Sequence, residues 1–471
     1  MPTSTGRLRV SVDMIDHNGL RGVAAVWIMF FHLFIYSELK YDLQGSTLMP
    51  LFFLLSGFSL GVAYVDRIWQ RPTENRNVKQ TISPIYRGET INNDLESREE
   101  INMPTSPKST LLKFFYNRFI RTMPVYYICF LLALPITFSG FGSIDPKDKF
   151  VLYASILQSV IPTNTWTLLI LGQPLDGPEW TIATLWSFWL IFPLLLDSYR
   201  RLKDEEILQS IIYFYWLQLA IILFFFPILL ISLGYDAAFW WTTSFPLARL
   251  PVFVMGLLAG ILCARYGESE DLPWFSSSGS FLPFRFWCCC CQPCGVKNFL
   301  VSRDVDFKRT CHLQAVTLLA LTLLWFALEI KYGPILSNAW FQGLNVFAQL
   351  DMIVALTRSH GSSLCSLILR HPIAQGLGEI SLSLYLVHWP LIFYLCWLVH
   401  GKSISWPPAR NCSAYAEADS PERLDCYSDL HRWNQARTMP NWGIVAIPPV
   451  AITAAALLYF IVEEPVRKYL K

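Results

Sequence analysis

The sequence has few charged residues for its length of 471: Asp, Glu, Lys and Arg together make up 15%, against about 25% in an average soluble domain. A chain with so few charges cannot cover a large surface that faces water. The formal net charge is only +2, whereas nucleic-acid-binding surfaces are strongly basic, so no nucleic-acid partner is expected. The 24 glycines and 29 prolines are scattered, which excludes a collagen-like chain.

Hydrophobic residues, by contrast, make up 53% of the chain and are concentrated in long apolar stretches. A helix needs about 20 mostly apolar residues to cross the hydrocarbon core of a bilayer. We therefore predict an all-α polytopic membrane protein with about ten transmembrane helices. The predicted spans are 19–37, 47–66, 122–138, 180–197, 208–233, 246–264, 312–330, 343–357, 376–399 and 442–463.

An eleventh apolar stretch, 150–171, is interrupted by Pro162 and the polar residues after it, and we interpret it as interfacial or re-entrant. With ten spans, most of the 37 Lys and Arg residues fall on the side of both termini. The positive-inside rule then places both termini in the cytosol. No signal-peptide cleavage site follows the first apolar run, so it is expected to remain as the first membrane helix.

The spans and their connections predict a single membrane-embedded domain over residues 14–468. Residues 67–112 are polar with mixed charge, which is typical of a flexible loop, here cytosolic. Residues 265–311 form a second cytosolic loop, and residues 400–441 a loop on the non-cytosolic side. The multi-pass pattern is compatible with the plasma membrane and with endomembranes, and membrane lipids are the expected surroundings.

The loop 265–311 contains a run of cysteines beside aromatic residues: Cys288, Cys289, Cys290 and Cys291. A zinc site usually combines two ligand pairs, and only Cys291 and Cys294 form such a pair, so no metal site is predicted. Cytosolic cysteines beside membrane-seeking aromatics favour palmitoylation, with unmodified thiols as the alternative.

The non-cytosolic loop 400–441 contains two cysteines, Cys412 and Cys426. Disulfides persist on this side of a membrane, and we predict one between them. Asn411 begins the triplet Asn-Cys-Ser, a formal but poor acceptor for glycosylation.

An ionisable side chain inside an apolar span is costly, and function is its default explanation. His32 lies deep in the first span, and Arg21 precedes it by 11 residues, which is close to three helical turns, so both share one helix face. The corresponding rise of about 16 Å leaves Arg21 near the cytosolic surface. Taken alone, His32 is also explained as a structural hydrogen bonder.

A second basic pair, Arg118 and Arg121, opens the third span with a spacing that puts both on one face. Such a pair is either a positive-inside anchor or part of an anion site. The ninth span contains four polar side chains: Ser381, Ser383, Tyr385 and His388. A polar stripe in an apolar helix either lines a cavity or holds neighbouring helices together.

Cytosolic arginines above a deep histidine suit a long ligand with phosphates at one end and a reactive group at the other. An acyl-coenzyme A has this shape, because its phosphates pair with arginine while its pantetheine arm carries the thioester towards His32. A neutral imidazole can then take a proton from an attacking hydroxyl.

Several stretches, in this order along the chain, resemble signatures of the membrane acyltransferase-3 family, which includes bacterial O-antigen and peptidoglycan O-acetylases and eukaryotic relatives. They are Gly19–Ala25 followed by His32, Phe52–Phe58, Arg118–Tyr126, Phe188–Pro193, Arg249–Gly256, Gly378–Pro390 and Glu463–Pro465. The ordered set, rather than any one stretch, carries the resemblance, and it indicates a eukaryotic-type member.

The resemblance implies an enzyme that transfers an acyl group, often acetyl, from cytosolic acyl-coenzyme A to a hydroxyl at the non-cytosolic side. The acceptor is a glycan, a lipid or a small molecule, and acyl-coenzyme A is a cosubstrate rather than a permanently bound cofactor. His32 corresponds to the catalytic histidine. The predicted donor-binding residues are Arg21, Arg118, Arg121, Ser383, Tyr385 and His388.

Two positions depart from the family pattern. Asn18 stands where relatives commonly have aspartate, and Leu185 replaces an acidic residue in the fourth span. Glu179 lies six residues earlier, about 120° round the helix, and cannot simply replace it. A catalytically silent binding protein therefore stays an alternative, as does a transporter or channel that uses the polar stripe.

Overall fold

The computed structural model describes residues 12–41, 43, 45–65, 107–141, 147–166, 177–233, 235–266, 272, 340–359, 361, 363–400, 431–432 and 434–469. The regular structure of these residues is helical, and an isolated bridge joins Ser37 to Met439. The predicted span 312–330 lies outside the described residues. The same holds for the modification and disulfide predictions at Cys288, Cys289, Cys290, Cys291, Asn411, Cys412 and Cys426.

Fifteen α-helical segments occur in the described residues. They are α1 Ile15–Tyr36, α2 Met49–Tyr64, α3 Pro107–Phe138, α4 Lys149–Val160, α5 Glu179–Tyr199, α6 Asp204–Ala220, α7 Phe226–Leu233, α8 Tyr235–Ser244, α9 Pro246–Tyr266, α10 Asn345–Ser359, α11 Leu364–Leu369, α12 Pro372–Glu379, α13 Ser381–His400, α14 Gly443–Leu458 and α15 Glu464–Tyr469. Three π-helical turns also occur. Ile221–Phe225 joins α6 to α7, Trp340–Leu344 precedes α10, and Tyr459–Glu463 joins α14 to α15.

Seven helical stretches in the described residues are long and apolar enough to cross a membrane. They are Ile15–Tyr36, Leu111–Phe138, Glu179–Tyr199, Asp204–Ser232, Ala238–Tyr266, Ser381–His400 and Gly443–Tyr469. Large apolar side chains remain exposed on them, for example Ile231 and Leu194, as expected for surfaces that face lipid. The all-α polytopic fold is confirmed, whereas the number of ten spans and the cytosolic termini stay predictions.

Two helices have bounds that differ from the predicted ones. Helix α3 begins at Pro107, inside the loop predicted over 67–112, and Phe114 in its second turn is buried in the core. The ninth span, 376–399, is divided at Ile380 into α12 and α13. Gly378 at this division is pressed against the Asn18 carbonyl oxygen of α1, which fixes α12 there before the chain turns into α13.

The stretch interpreted as re-entrant contains α4. This helix has 12 residues and is therefore about 18 Å long, too short to cross about 30 Å of hydrocarbon. Asp148 caps its first turn by accepting a hydrogen bond from the Val151 amide at 3.1 Å. The interpretation of 150–171 as a segment that does not cross the membrane agrees with this length.

Helices α2 and α9 pack with their backbones in contact. Each has two glycines four residues apart on the contact face, Gly57 and Gly61 in α2 and Gly256 and Gly260 in α9. A methyl group on any of the four would overlap a backbone carbonyl oxygen of the other helix. This is the small-residue packing by which apolar helices associate in a membrane, where burial from water supplies no driving force.

Substitution of Gly256 by alanine is expected to destabilise the protein by at least about 1–3 kcal/mol, the usual cost of overpacking, because the Leu54 carbonyl group cannot move without shifting α2. The matched control is Gly376→Ala: Gly376 is also helical, but a methyl group there meets nothing within 4 Å. Thermal unfolding in detergent compares the two variants. Equal melting temperatures for both would contradict the close packing of α2 on α9.

Candidate active site

Two histidines from distant parts of the chain meet where α1 packs against α13. Nδ1 of His32 lies 2.8 Å from Nε2 of His388, and the two ring centroids are 5.0 Å apart. His388 is fully buried, whereas His32 keeps partial exposure. The sequence grouped His388 with the donor-binding residues; the structure places it directly behind His32.

The surroundings of His388 fix which ring nitrogens carry hydrogen. Nδ1 of His388 lies 3.0 Å from the Leu384 carbonyl oxygen, and a carbonyl can only accept, so this nitrogen must be the donor. In the neutral ring Nε2 is then an acceptor, and the hydrogen shared with His32 belongs to Nδ1 of His32. Nε2 of His32 is left with an unprotonated lone pair, which is the state that a general base requires.

The pair has no acidic partner in the described part of the chain: no carboxylate there forms a hydrogen bond with either imidazole. His388 thus occupies the place that a carboxylate takes in acid–histidine pairs. It orients the base by accepting the hydrogen bond from Nδ1–H of His32. Two neutral rings are also cheaper to bury than a charged group.

Tyr385 lies beside the pair and connects α13 to α5. Its hydroxyl is 2.6 Å from the Thr181 hydroxyl and 3.6 Å from the Met49 sulfur, and its ring centroid is 6.2 Å from that of His388. Ser381, by contrast, donates to the Gly378 carbonyl of its own turn at 2.8 Å. The polar stripe is therefore divided among several contacts and does not line one surface.

The acidic residue missing at position 185 has no substitute on α5. Leu185 packs against the apolar core. Glu179 is fully buried, and its carboxylate accepts a hydrogen bond from the Ser159 hydroxyl at 2.9 Å. The Ser159 carbonyl in turn accepts from the Tyr126 hydroxyl at 2.8 Å. Glu179 thus joins α5 to α4 and α3, in agreement with the expectation that it does not replace the missing acid.

The N-terminal end of α1 is held by the connection between α11 and α12. Arg370 pairs with Asp16 at 2.9 Å and with Asp13 at 2.6 Å. The hydrogen bond to Asp16, followed by that to Asp13, raises the pKa of the Arg370 guanidinium above its ordinary value. These ion pairs fix the position of α1 relative to α11 and α12, and therefore the positions of Arg21 and His32 on α1.

Arg21 is positioned by Asn18, the residue that replaces the family aspartate. The Asn18 side-chain oxygen accepts from Nη2 of Arg21 at 3.1 Å, and its amide donates to the carbonyl and side-chain oxygens of Gln375 at 3.2 and 3.1 Å. An aspartate could not donate to Gln375 and would neutralise Arg21. The amide therefore holds the guanidinium and leaves its positive charge available.

Arg118 and Arg121 lie on α3 at the same end of the structure. The Arg118 guanidinium carbon is 5.7 Å from the ring centroids of both Tyr64 and Phe114, which favours its charge through the aromatic faces. Arg121 is exposed. The charges of Arg467, Arg118 and Arg21 all act on Arg121, so the three arginines found from the sequence belong to one cluster, together with Arg467.

Glu463 and Arg467 are residues of this site that reasoning from the sequence missed. Ser383, predicted to bind the donor, donates a hydrogen bond to the buried carboxylate of Glu463. Nη2 of Arg467 lies 3.6 Å from the other oxygen of Glu463. The closing stretch Glu463-Glu464-Pro465 carries a signal for Glu463, but nothing in its spacing relates it to Ser383. No three His, Cys, Asp or Glu side chains converge as metal ligands in the described segments.

The helices and the buried polar side chains describe an integral membrane protein with a histidine pair and a group of arginines at one end. The family described as an acyltransferase domain, Acyl_transf_3, matches residues 15–409. The chain belongs to this acyltransferase-3 family and is a membrane acyltransferase. The comparisons with curated proteins and with solved structures found no match. The π-helical turn Tyr459–Glu463 and helix α15 lie beyond the matched residues, yet they supply Glu463 and Arg467.

Proposed function

We propose that this acyltransferase moves an acyl group, in the simplest case acetyl, from cytosolic acyl-coenzyme A to a hydroxyl group at the non-cytosolic side of the membrane. The acceptor is a carbohydrate, a lipid or a small molecule. The observation that carries the proposal is the pair His32 and His388, whose hydrogen bonds leave Nε2 of His32 unprotonated and without a donor among the described residues. The arginine cluster supports a donor that carries phosphates.

In the proposed reaction, Nε2 of His32 takes the proton of the acceptor hydroxyl as its oxygen attacks the thioester carbonyl carbon. The new carbon–oxygen bond forms and the carbon–sulfur bond breaks. The proton passes from His32 to the leaving sulfur, so that coenzyme A departs as a thiol. While His32 is charged, its Nδ1–H bond to Nε2 of His388 stabilises the imidazolium.

The direct test uses purified protein in lipid nanodiscs, acetyl-coenzyme A labelled in the acetyl group, and a membrane extract as the source of acceptors. We expect label in a product that mild alkali releases, since alkali cleaves oxygen esters and leaves amides intact. Release of the coenzyme A thiol measures the rate in the same sample. No thiol release and no alkali-labile product would contradict the proposal.

Arg121→Ala is expected to raise the KM for acetyl-coenzyme A with little change in kcat, because one charge-assisted hydrogen bond to a phosphate is worth about 1–3 kcal/mol. Arg201→Ala is the matched control, since Arg201 is also near the end of a helix but pairs with Asp197 at 2.9 Å and keeps 68% of its side chain exposed. Steady-state kinetics measures the KM and kcat of both variants. An equal KM in Arg121→Ala and wild type would show that Arg121 is not part of the donor site.

A further inference from the structure

Four guanidinium groups lie near one another at the end of the structure where α3 meets α15, and two of them, those of Arg467 and Arg121, act on one buried carboxylate. Three of them, Arg21, Arg118 and Arg121, come from α1 and α3. The fourth is Arg467 on α15, and the carboxylate is Glu463, which is 3% exposed. Glu464, the next residue, pairs instead with Lys468 at 2.9 Å. Positive charge in the cluster is therefore only partly compensated.

The hydrogen-bonding capacity of these arginines is also incompletely used. Nε of Arg21, of Arg118 and of Arg467 is buried, and no residue in the described part of the chain accepts a hydrogen bond from any of the three. A buried donor without an acceptor costs free energy. Three such donors on three different helices favour a ligand that brings several acceptor oxygens at once, as a phosphate does.

Arg467 is held more loosely than a permanent ion pair requires. Its Nη2 is 3.6 Å from Glu463, whereas charge-assisted hydrogen bonds are usually about 2.7–2.9 Å long. Its Nη1 is 3.5 Å from the Tyr459 hydroxyl, and its guanidinium carbon is 5.2 Å from the centroid of that ring. About a third of the side chain, 32%, stays exposed, so a ligand can reach it.

Glu463 is anchored independently of Arg467, because the Ser383 hydroxyl donates to its other oxygen. The carboxylate can therefore lose Arg467 as a partner and still keep a hydrogen bond. Arg467 in turn lies on the last turn of α15.

We propose that Arg467 is a fourth donor-binding arginine, which pairs with Glu463 in the donor-free enzyme and exchanges this carboxylate for a phosphate of acyl-coenzyme A. The inference rests on the proposed function, since it assigns a further residue to the same donor site. Glu463 then acts as an internal counter-ion that competes with the phosphate.

The first test compares two donors, acetyl-coenzyme A and acetyl-pantetheine, which carries the same thioester but no phosphate. Wild type is expected to prefer acetyl-coenzyme A in kcat/KM. In Arg467→Ala this preference should fall roughly 10- to 100-fold, the equivalent of one lost charge-assisted bond. The matched control is Lys468→Ala, which removes the neighbouring exposed cation and should leave the preference unchanged.

The second test measures the affinity of Glu463→Gln for a non-hydrolysable acetyl-coenzyme A analogue. Glutamine still accepts the Ser383 hydrogen bond but no longer competes for Arg467, so the dissociation constant should fall several-fold. An unchanged or higher dissociation constant would contradict the proposed exchange of Glu463 for a phosphate. This measurement does not depend on whether Arg467→Ala folds.

The outcomes separate the two proposals. If wild type shows no reaction with acetyl-coenzyme A, the proposed function itself fails. If wild type reacts but shows no preference over acetyl-pantetheine, or if folded Arg467→Ala keeps the preference in full, the proposed function stands and the role of Arg467 is wrong.

Discussion

Replacing His32 by alanine is expected to slow acyl transfer by a factor on the order of 10²–10⁴, the range that a lost general base produces. The affinity for a non-hydrolysable acetyl-coenzyme A analogue should stay nearly unchanged, because Arg21, one of the arginines proposed to bind its phosphates, lies about 16 Å from His32 along the rise of α1. Single-turnover thiol release measures the first quantity, and isothermal titration measures the second.

His400→Ala is the matched control for this experiment. His400 ends α13, is exposed, and lies 3.2 Å from the Thr438 carbonyl oxygen, so its loss should affect neither rate nor affinity. A folded His32→Ala protein that transfers the acyl group at the wild-type rate would contradict the assignment of the base.

Substitutions at His388 are expected to separate its hydrogen bond from its volume. His388→Met keeps a similar volume but provides no strong acceptor for Nδ1–H of His32, and the rate should fall roughly 10²-fold, as when the partner that orients a catalytic group is lost. His388→Gln places an amide oxygen near the position of Nε2 and should retain most of the rate.

Both variants should bind the acetyl-coenzyme A analogue as tightly as wild type, because neither changes the arginine cluster. If the methionine and glutamine variants have equal rates, His388 acts through packing alone. If both lose donor affinity instead of rate, His388 belongs to the donor site, as reasoning from the sequence first grouped it.

Local features of the chain were predictable because they depend on residues close in sequence. Spacing alone puts Arg21 and His32 on one face of α1, and Pro162 already indicates that 150–171 does not cross as a regular helix. The spacing of four residues likewise puts the two glycines of α2 on one face, and the two of α9 on one face. The sequence does not show that these two faces pack against each other.

The contacts that make the site depend on tertiary packing. His32 and His388 are separated by 356 residues, and Ser383 and Glu463 by 80, so helical periodicity cannot bring either pair together. From the sequence, the polar stripe of α13 either lines one cavity or holds helices together. In the structure Ser383 bonds Glu463 of a π-helical turn and Tyr385 bonds residues of α5 and α2. Among the three residues, His388 is the one that contacts His32.

Asn18 and Leu185 show how a departure from a family pattern is interpreted from its contacts. The sequence marks both as losses of an acid. The structure gives Asn18 a role that an aspartate could not fill, since its amide bonds Gln375 while its oxygen holds Arg21. Leu185 faces the apolar core, and His388 supplies the partner for His32.

A double-mutant cycle on the histidine pair tests most directly whether His32 is the base and His388 orients it. Single-turnover rates of thiol release from acetyl-coenzyme A are measured for wild type, His32→Ala, His388→Met and the double variant. If the residues act as one unit, the double variant should be no slower than His32→Ala, because orienting a base that is absent has no effect. Rate losses that multiply in the double variant would show that the two histidines act independently and would contradict the proposed mechanism.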